Sequence, residues 1–245
     1  ECWRALIDHG AEVNASNKNG KTALMFAAEK NSLECLRVLI NHGADVNFSK
    51  KSKKPALVFA VENNNEECWH KLLNHDANVN ASNRDRKTVL MIAVEKNLKN
   101  CWEALIDSGA NINACNKHGK TALMFAVEKD RMDCCFTLIN RGADVNSSDK
   151  NGKTALVIAV EKGRMDYCNI LLNSGANVNA SDKEGKTALM YAVDMNHTYC
   201  FHTLVDHGAD VNATDVNGKT VLSLISDFAN EDYIEMYCFL KLNDA

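Results

Sequence analysis

A period of 33 residues runs through this chain without a slip, and a repeat of that length leaves few folds open. Variants of one Lys-Thr-Ala-Leu phrase place their lysine at Lys21, Lys54, Lys87, Lys120, Lys153, Lys186 and Lys219. A full copy starts at Asn113, passes through Lys120 to Lys129 and closes on Gly142, Ala143, Asp144 and Val145. Units repeated at fixed spacing stack on their neighbours, because each buries against the next an apolar face that it cannot hide alone. Function on such an array is expected on a long surface and not in a catalytic cleft.

Composition narrows the classes. Apolar residues make up 46% of the chain, enough for an extended core. The net charge of −4 argues against a dedicated nucleic-acid binder. No apolar run approaches the ~20 residues of a membrane-spanning helix. Of the 10 cysteines, Cys2, Cys35, Cys68, Cys101, Cys134 and Cys200 share one repeat position, which Tyr167 takes in the remaining unit. Stacked helices lie roughly 8–10 Å apart, whereas a disulfide needs Cα atoms within about 7 Å. Cysteines of one column are therefore expected to be small buried hydrophobes in a reducing, cytoplasmic setting. Cys115 is expected on a loop, and the adjacent Cys134 and Cys135 are expected to pack.

Residues 14–46 show what one unit is. Asn14 to Lys21 is polar and carries Gly20, a turn signal. Thr22 reads as an N-cap for a first helix over roughly residues 22–30, which Asn31 and Ser32 break. Leu33, Cys35, Leu36, Leu39 and Ile40 recur at helical spacing and predict a second helix, with Gly43 as its C-cap.

Gly-Lys-Thr-Ala-Leu, two helices and Gly-Ala-Asp-Val-Asn together resemble the ankyrin repeat over essentially the whole chain. The proline and histidine of that family's usual Thr-Pro-Leu-His are replaced, so helix starts rest on the threonine cap. The resemblance implies an all-α solenoid of helix pairs with projecting hairpin fingers, a palm lined by first helices, and partner proteins bound through fingers and palm. It divides residues 1–245 into a truncated repeat (1–13), full repeats at 14–46, 47–79, 80–112, 113–145, 146–178 and 179–211, and a divergent last repeat (212–245). A chain opening inside a second helix reads as part of a larger protein.

Gly-Lys-Thr echoes a phosphate-binding loop, but that loop needs an earlier glycine where this chain has Ala15 and its equivalents, so turn plus cap is the better reading. His9, His42, His75 and His207 are a repeat apart, too far for a shared metal, and suit helix C-termini. No nucleophile, base and orienting acid come together, so neither catalysis, a cofactor nor a metal is expected.

The candidate site lies on the fingers. Lys18, Lys51, Arg84, Lys117, Lys150 and Lys183 form a tip column that, beside the Lys21 column, predicts a basic edge. Lys53 and Arg86 replace the turn glycine, predicting a reshaped or strained finger. Pro55 replaces the capping threonine and suits the first helical turn. Phe48, Lys50, Lys51, Lys53, Lys54, Arg84 and Arg86 are the expected contact for a protein partner with an acidic segment. A second patch is expected where the Glu-Lys ending of the first helices fails, at Tyr191, Met195 and Phe228, read as exposed anchors. The rival readings are drift in a redundant repeat and a structural spacer. A third is a ligand-sensing arm for a phosphorylated small molecule or nucleotide, since the phrases are also similar to repeats of the oligoadenylate-dependent ribonuclease. Trp3, Trp69 and Trp102 are expected to pack between repeats, and the isolated array is expected to be monomeric.

Overall fold

The computed structural model of the chain describes residues 5, 7, 9–49, 54–228 and 233–243; the side chains of residues 227, 228 and 241–243 lie outside the described set. The fold forms two compact units, residues 1–117 and 118–245.

In the first unit the described helices are α1 (Ala23–Glu29), α2 (Leu33–Asn41), α3 (Ala56–Glu62), α4 (Glu66–Leu73), α5 (Val89–Glu95) and α6 (Lys99–Asp107). Odd-numbered helices pack on each other in sequence, as do even-numbered ones, and each pair α1/α2, α3/α4 and α5/α6 is in contact, giving two layers. The second unit repeats the plan with α7 (Ala122–Glu128), α8 (Met132–Asn140), α9 (Ala155–Glu161), α10 (Met165–Asn173), α11 (Ala188–Asp194), α12 (Thr198–Asp206), α13 (Val221–Phe228) and α14 (Ile234–Asn243). Extended pairing among the described residues is limited to isolated antiparallel bridges such as Ser16 with Thr22 and Ser148 with Thr154.

The first helices are short and, apart from the exposed Phe26 of α1, mostly buried: in α7 every residue from Ala122 to Val127 is at most 7% exposed. Each large apolar side chain so covered contributes about 1.5–3 kcal/mol, which is why a seven-residue helix persists where an isolated one would not. Trp69 and Trp102 are buried on the second helices at 3% and 2% exposure, as expected of packing between repeats.

Caps and turns fix the boundaries. The hydroxyls of Thr22, Thr88, Thr121, Thr154 and Thr187 each accept the backbone N–H of the third helical residue. In the divergent last repeat, Thr220 and Ser223 exchange bonds: the Ser223 N–H donates to the Thr220 hydroxyl at 3.2 Å, and the Thr220 N–H to the Ser223 hydroxyl at 2.9 Å. Pro55 stands at the N-cap itself, not in the first turn as expected, and makes no side-chain cap. Between the paired helices one residue always turns left-handed: Asn31, Asn64, Asn97, Asp130, Gly163 and Asn196 have φ of 52–64°. Asn and Asp tolerate that region better than most residues.

Within each unit, asparagines link neighbouring repeats. The Asn146 side chain donates to the Gly175 carbonyl (3.0 Å) and accepts from the Asn177 N–H (2.7 Å). Asn179 does the same to Gly208 (3.3 Å) and Asp210 (2.7 Å). In the first unit Asn14 and Asn47 bridge in this way to Gly43 and Asp45, and to Asp76 and Asn78.

Candidate functional site

Among the described residues, a finger turn is built on one side chain. In the first, the Asn17 carboxamide oxygen accepts the N–H groups of Asn19 and Lys21, both at 3.0 Å. Gly20 then closes the turn onto the Asn17 carbonyl at 2.8 Å with φ 76°. In the third finger Asn83 accepts from Asp85 and Lys87 at 3.0 and 3.1 Å, and Arg86 closes the turn onto Asn83 at 2.9 Å with φ 57°. The turn is therefore strained, not reshaped: a bulky side chain occupies the left-handed corner that glycine takes in other fingers. Fingers also bond to each other. The Lys117 N–H donates to the Asp85 carbonyl at 2.7 Å, and their side chains pair at 2.6 Å. In the second unit Lys150 and Lys183 donate to His118 and Asn151 in the same way.

The Lys21 column is not the basic edge its sequence predicts. Each of its described lysines from Lys21 to Lys186 reaches the acid that ends the following first helix: Lys21 to Glu29, Lys54 to Glu62, Lys87 to Glu95, Lys120 to Glu128, Lys153 to Glu161 and Lys186 to Asp194. The ammonium groups of Lys21, Lys54, Lys153 and Lys186 also lie against rings of the first helices. Phe59 has the Lys21 and Lys54 nitrogens 4.5 and 4.4 Å from its centroid, and Tyr191 has those of Lys153 and Lys186 at 4.6 and 5.7 Å. The Glu-Lys ending of the first helix is thus a link back to the finger and not merely a solvated face. Burial acts to raise the Glu128 pKa, but the Lys120 hydrogen bond and charge, with Lys129 and Lys162, outweigh it and hold the carboxyl below its ordinary value.

Of the expected contact residues, Lys50, Lys51 and Lys53 lie outside the described set. Phe48 is half-buried, Lys54 is held by Glu62 and Phe59, and Arg84 and Arg86 are exposed. The Arg86 guanidinium has no side-chain partner among the described residues. A cavity of ≈ 610 Å³ opens in the first unit, lined by Asn19 and Lys21, by Lys54, Phe59 and Glu62, and by Asn83, Arg84 and Asp85.

The second patch changes character. Tyr191 is not an exposed anchor: it is 7% exposed, and its hydroxyl donates to Asp182 at 2.7 Å. Burial, then the Asp182 hydrogen bond, pushes its pKa up to about 12. The physical reason is that Lys153, Lys186 and Asp182 close over the ring and satisfy its polar tip. Met195, the C-cap of α11, is 47% exposed, and Phe228 ends α13 with its side chain outside the described set. Sequence reasoning missed Tyr199, 78% exposed on α12. The available signal was a break in a polar column, since Glu34, Glu67, Asn100, Asp133 and Asp166 hold its position elsewhere.

His9, His42 and His207 bond through Nδ1 to the carbonyls of Ala5, Val38 and Thr203 at 2.7, 2.7 and 2.8 Å, helix-end roles as expected. Cys115 is exposed, and Cys134 and Cys135 are buried. Among the described residues no three His, Cys, Asp or Glu side chains gather as a metal site, and no helix is long and apolar enough to cross a membrane.

Paired helices in two layers with capped, finger-like turns define a helical repeat protein. The family model for ankyrin repeats (3 copies) matches residues 1–83, 57–149 and 132–215, and the chain belongs to that family. It is similar to the crystal structure of the ankyrin repeat domain of Bcl-3, a unique member of the IkappaB protein family: 30% identity, TM-score 0.74, covering 84% of this chain and 95% of that one. The search of curated proteins gave no match. Solved chains similar to this one number 586, so the fold by itself selects no partner.

Proposed function

We propose that this chain is a non-catalytic protein-binding module, the recognition or regulatory arm of a larger intracellular protein, and that the fingers of its second and third full repeats hold an acidic segment of the partner. Ankyrin repeats are generally protein-interaction modules. The observation that carries the finer reading is Arg86. It keeps a strained backbone that glycine would adopt freely, and it presents an exposed guanidinium without a partner among the described residues. Arg84 stands beside it, and Phe48 with Lys50, Lys51 and Lys53 extends the patch in sequence. Lys54 acts from below, already balanced by Glu62. Met195 with Tyr199 is the candidate apolar contact of the second unit.

Charge reversal at Lys53 and Arg86 tests the reading. Capture of partners from lysate, followed by titration with the captured partner, should show at least a tenfold loss, about 1.4 kcal/mol. Unchanged affinity removes these fingers from the contact.

The ≈ 610 Å³ cavity favours a second reading, a sensor of a phosphorylated small molecule or nucleotide seated among Lys21, Lys54 and Arg84. Lys21 and Lys54 are already matched by Glu29 and Glu62, which weakens it. Thermal shift against nucleotides decides: a ligand at 100 times its Kd stabilises by about 2.7 kcal/mol, and no shift at millimolar ligand eliminates this reading.

A further inference from the structure

Cys168 on α10 and Cys200 on α12 face each other in the second unit, where these helices pack side by side. Both are buried, at 0% and 1% exposure, and their sulfurs are 4.0 Å apart with the Cys168 thiol donating to Cys200.

The pairing follows from a departure in the repeat. Cys68, which holds the same repeat position as Cys200, donates to the side chain of Asn31 in the preceding left-handed turn at 3.5 Å. Tyr167, at that position one repeat before Cys200, donates to Asp130 at 3.0 Å. The corresponding turn residue before Cys200 is Gly163, which offers no side chain, and the place of its Cβ is filled by the His197 ring, 2.8 Å away at its nearest atom. Cys200 takes Cys168 as its partner instead. That hydrogen bond lowers the Cys200 pKa against the burial that raises it, and raises the Cys168 pKa together with burial. Cys200, which accepts that hydrogen bond, is assigned the role of nucleophile and Cys168 that of resolving thiol.

We propose that Cys168 and Cys200 are a redox-sensitive pair that closes to a disulfide between consecutive repeats when the protein meets a hydroperoxide. The Cys200 thiolate attacks one peroxide oxygen, the O–O bond breaks, and the leaving oxygen takes a proton, giving a sulfenic acid and one water. Cys168 then attacks that sulfur; the S–S bond forms, the S–OH bond breaks, and the Cys168 proton leaves with the hydroxide as the second water. Two thiols lose two electrons and two protons, and one hydrogen peroxide becomes two waters. Closure brings the sulfurs from 4.0 Å to a bond of about 2.05 Å and requires the two Cα atoms to come within about 7 Å. The oxidant enters during local opening of the packed helices, which folded proteins sample below the cost of global unfolding. The bond closes a long loop and ties α12 to α10, so the oxidised unit is stiffer and more stable.

Hydrogen peroxide on the purified chain, in native buffer with Cys115→Ser and Cys238→Ser to silence the exposed thiols, tests this. After quenching with an alkylating reagent, non-reducing digestion and mass spectrometry should show the Cys168–Cys200 cross-linked peptide. Circular dichroism should be unchanged, Tm should rise by several degrees, and dithiothreitol should reverse both link and shift. Cys168→Ala should abolish the link. A link that forms only in urea, or over-oxidation of both cysteines without a link, overturns the proposal; both are read on the parent protein, independently of how the variant folds.

Discussion

Lys120 and Glu128 stand eight residues apart, one on a finger and one at the end of a first helix, and meet at 2.6 Å. The contact ties a surface turn to the buried layer beneath it, and described equivalents stand in both units.

Glu128→Gln should cost about 1 kcal/mol at neutral pH, the scale of a partly buried, charge-assisted pair. The folded-state pKa of Glu128 is depressed below its ordinary value of 4.5. Its contribution is therefore present above that value and is lost as pH falls through the lower folded-state pKa. Urea melts at pH 7 should separate the variant from the parent, and the gap should narrow as the pH is lowered below 4.5.

Arg86→Gly should stabilise the protein by roughly 1 kcal/mol, because a left-handed corner costs glycine nothing. It should at the same time weaken partner binding. A rise in Tm with undiminished affinity would mean that the arginine is drift.

Gly152→Ala should act in the opposite direction. The glycine has φ 86°, and an added Cβ would lie 2.9 Å from the backbone of Asp182 and Lys183 in the next finger. Strain and steric overlap together should cost 1–3 kcal/mol, about the range for a residue held in a disfavoured conformation. Gly142→Ala meets nothing within 4 Å, so thermal melts should find it the milder of the two.

Tyr191→Phe should cost about 1 kcal/mol by leaving Asp182 without its phenol donor. The Tyr191 pKa is raised from 10.0 to about 12 in the folded protein. The stabilisation it brings is complete below pH 10 and fades as pH rises towards 12, since the unfolded chain ionises first. The difference in stability between parent and variant should shrink across that interval.

These cases mark what the sequence makes legible. The threonine caps, the glycine turns and the buried tryptophans follow from local pattern, and the structure has them. The Lys–Glu rungs do not, because a contact eight residues away across a loop and a helix belongs to neither period. The glycine-to-arginine exchange at Arg86 is visible in the text, but its outcome depends on Asn83 and on the bonds from Lys117, which together hold the turn in place. The burial of Tyr191 is hidden for the same reason: its covering comes from Lys153, one repeat earlier, and from Asp182 in its own finger. Burial at such positions is a property of neighbouring repeats and not of the strand of text that carries the residue.

The asparagine bridges set a rule for how such a chain can change in length. Asn146 and Asn179 each grip a carbonyl 29 residues ahead and an amide 31 residues ahead. Loss or gain of one whole repeat leaves each grip with an equivalent partner, whereas a shift of one or two residues leaves a hand closed on nothing. Insertion or removal of a complete 33-residue module should therefore be tolerated, and a shift of one or two residues inside a module should be destabilising.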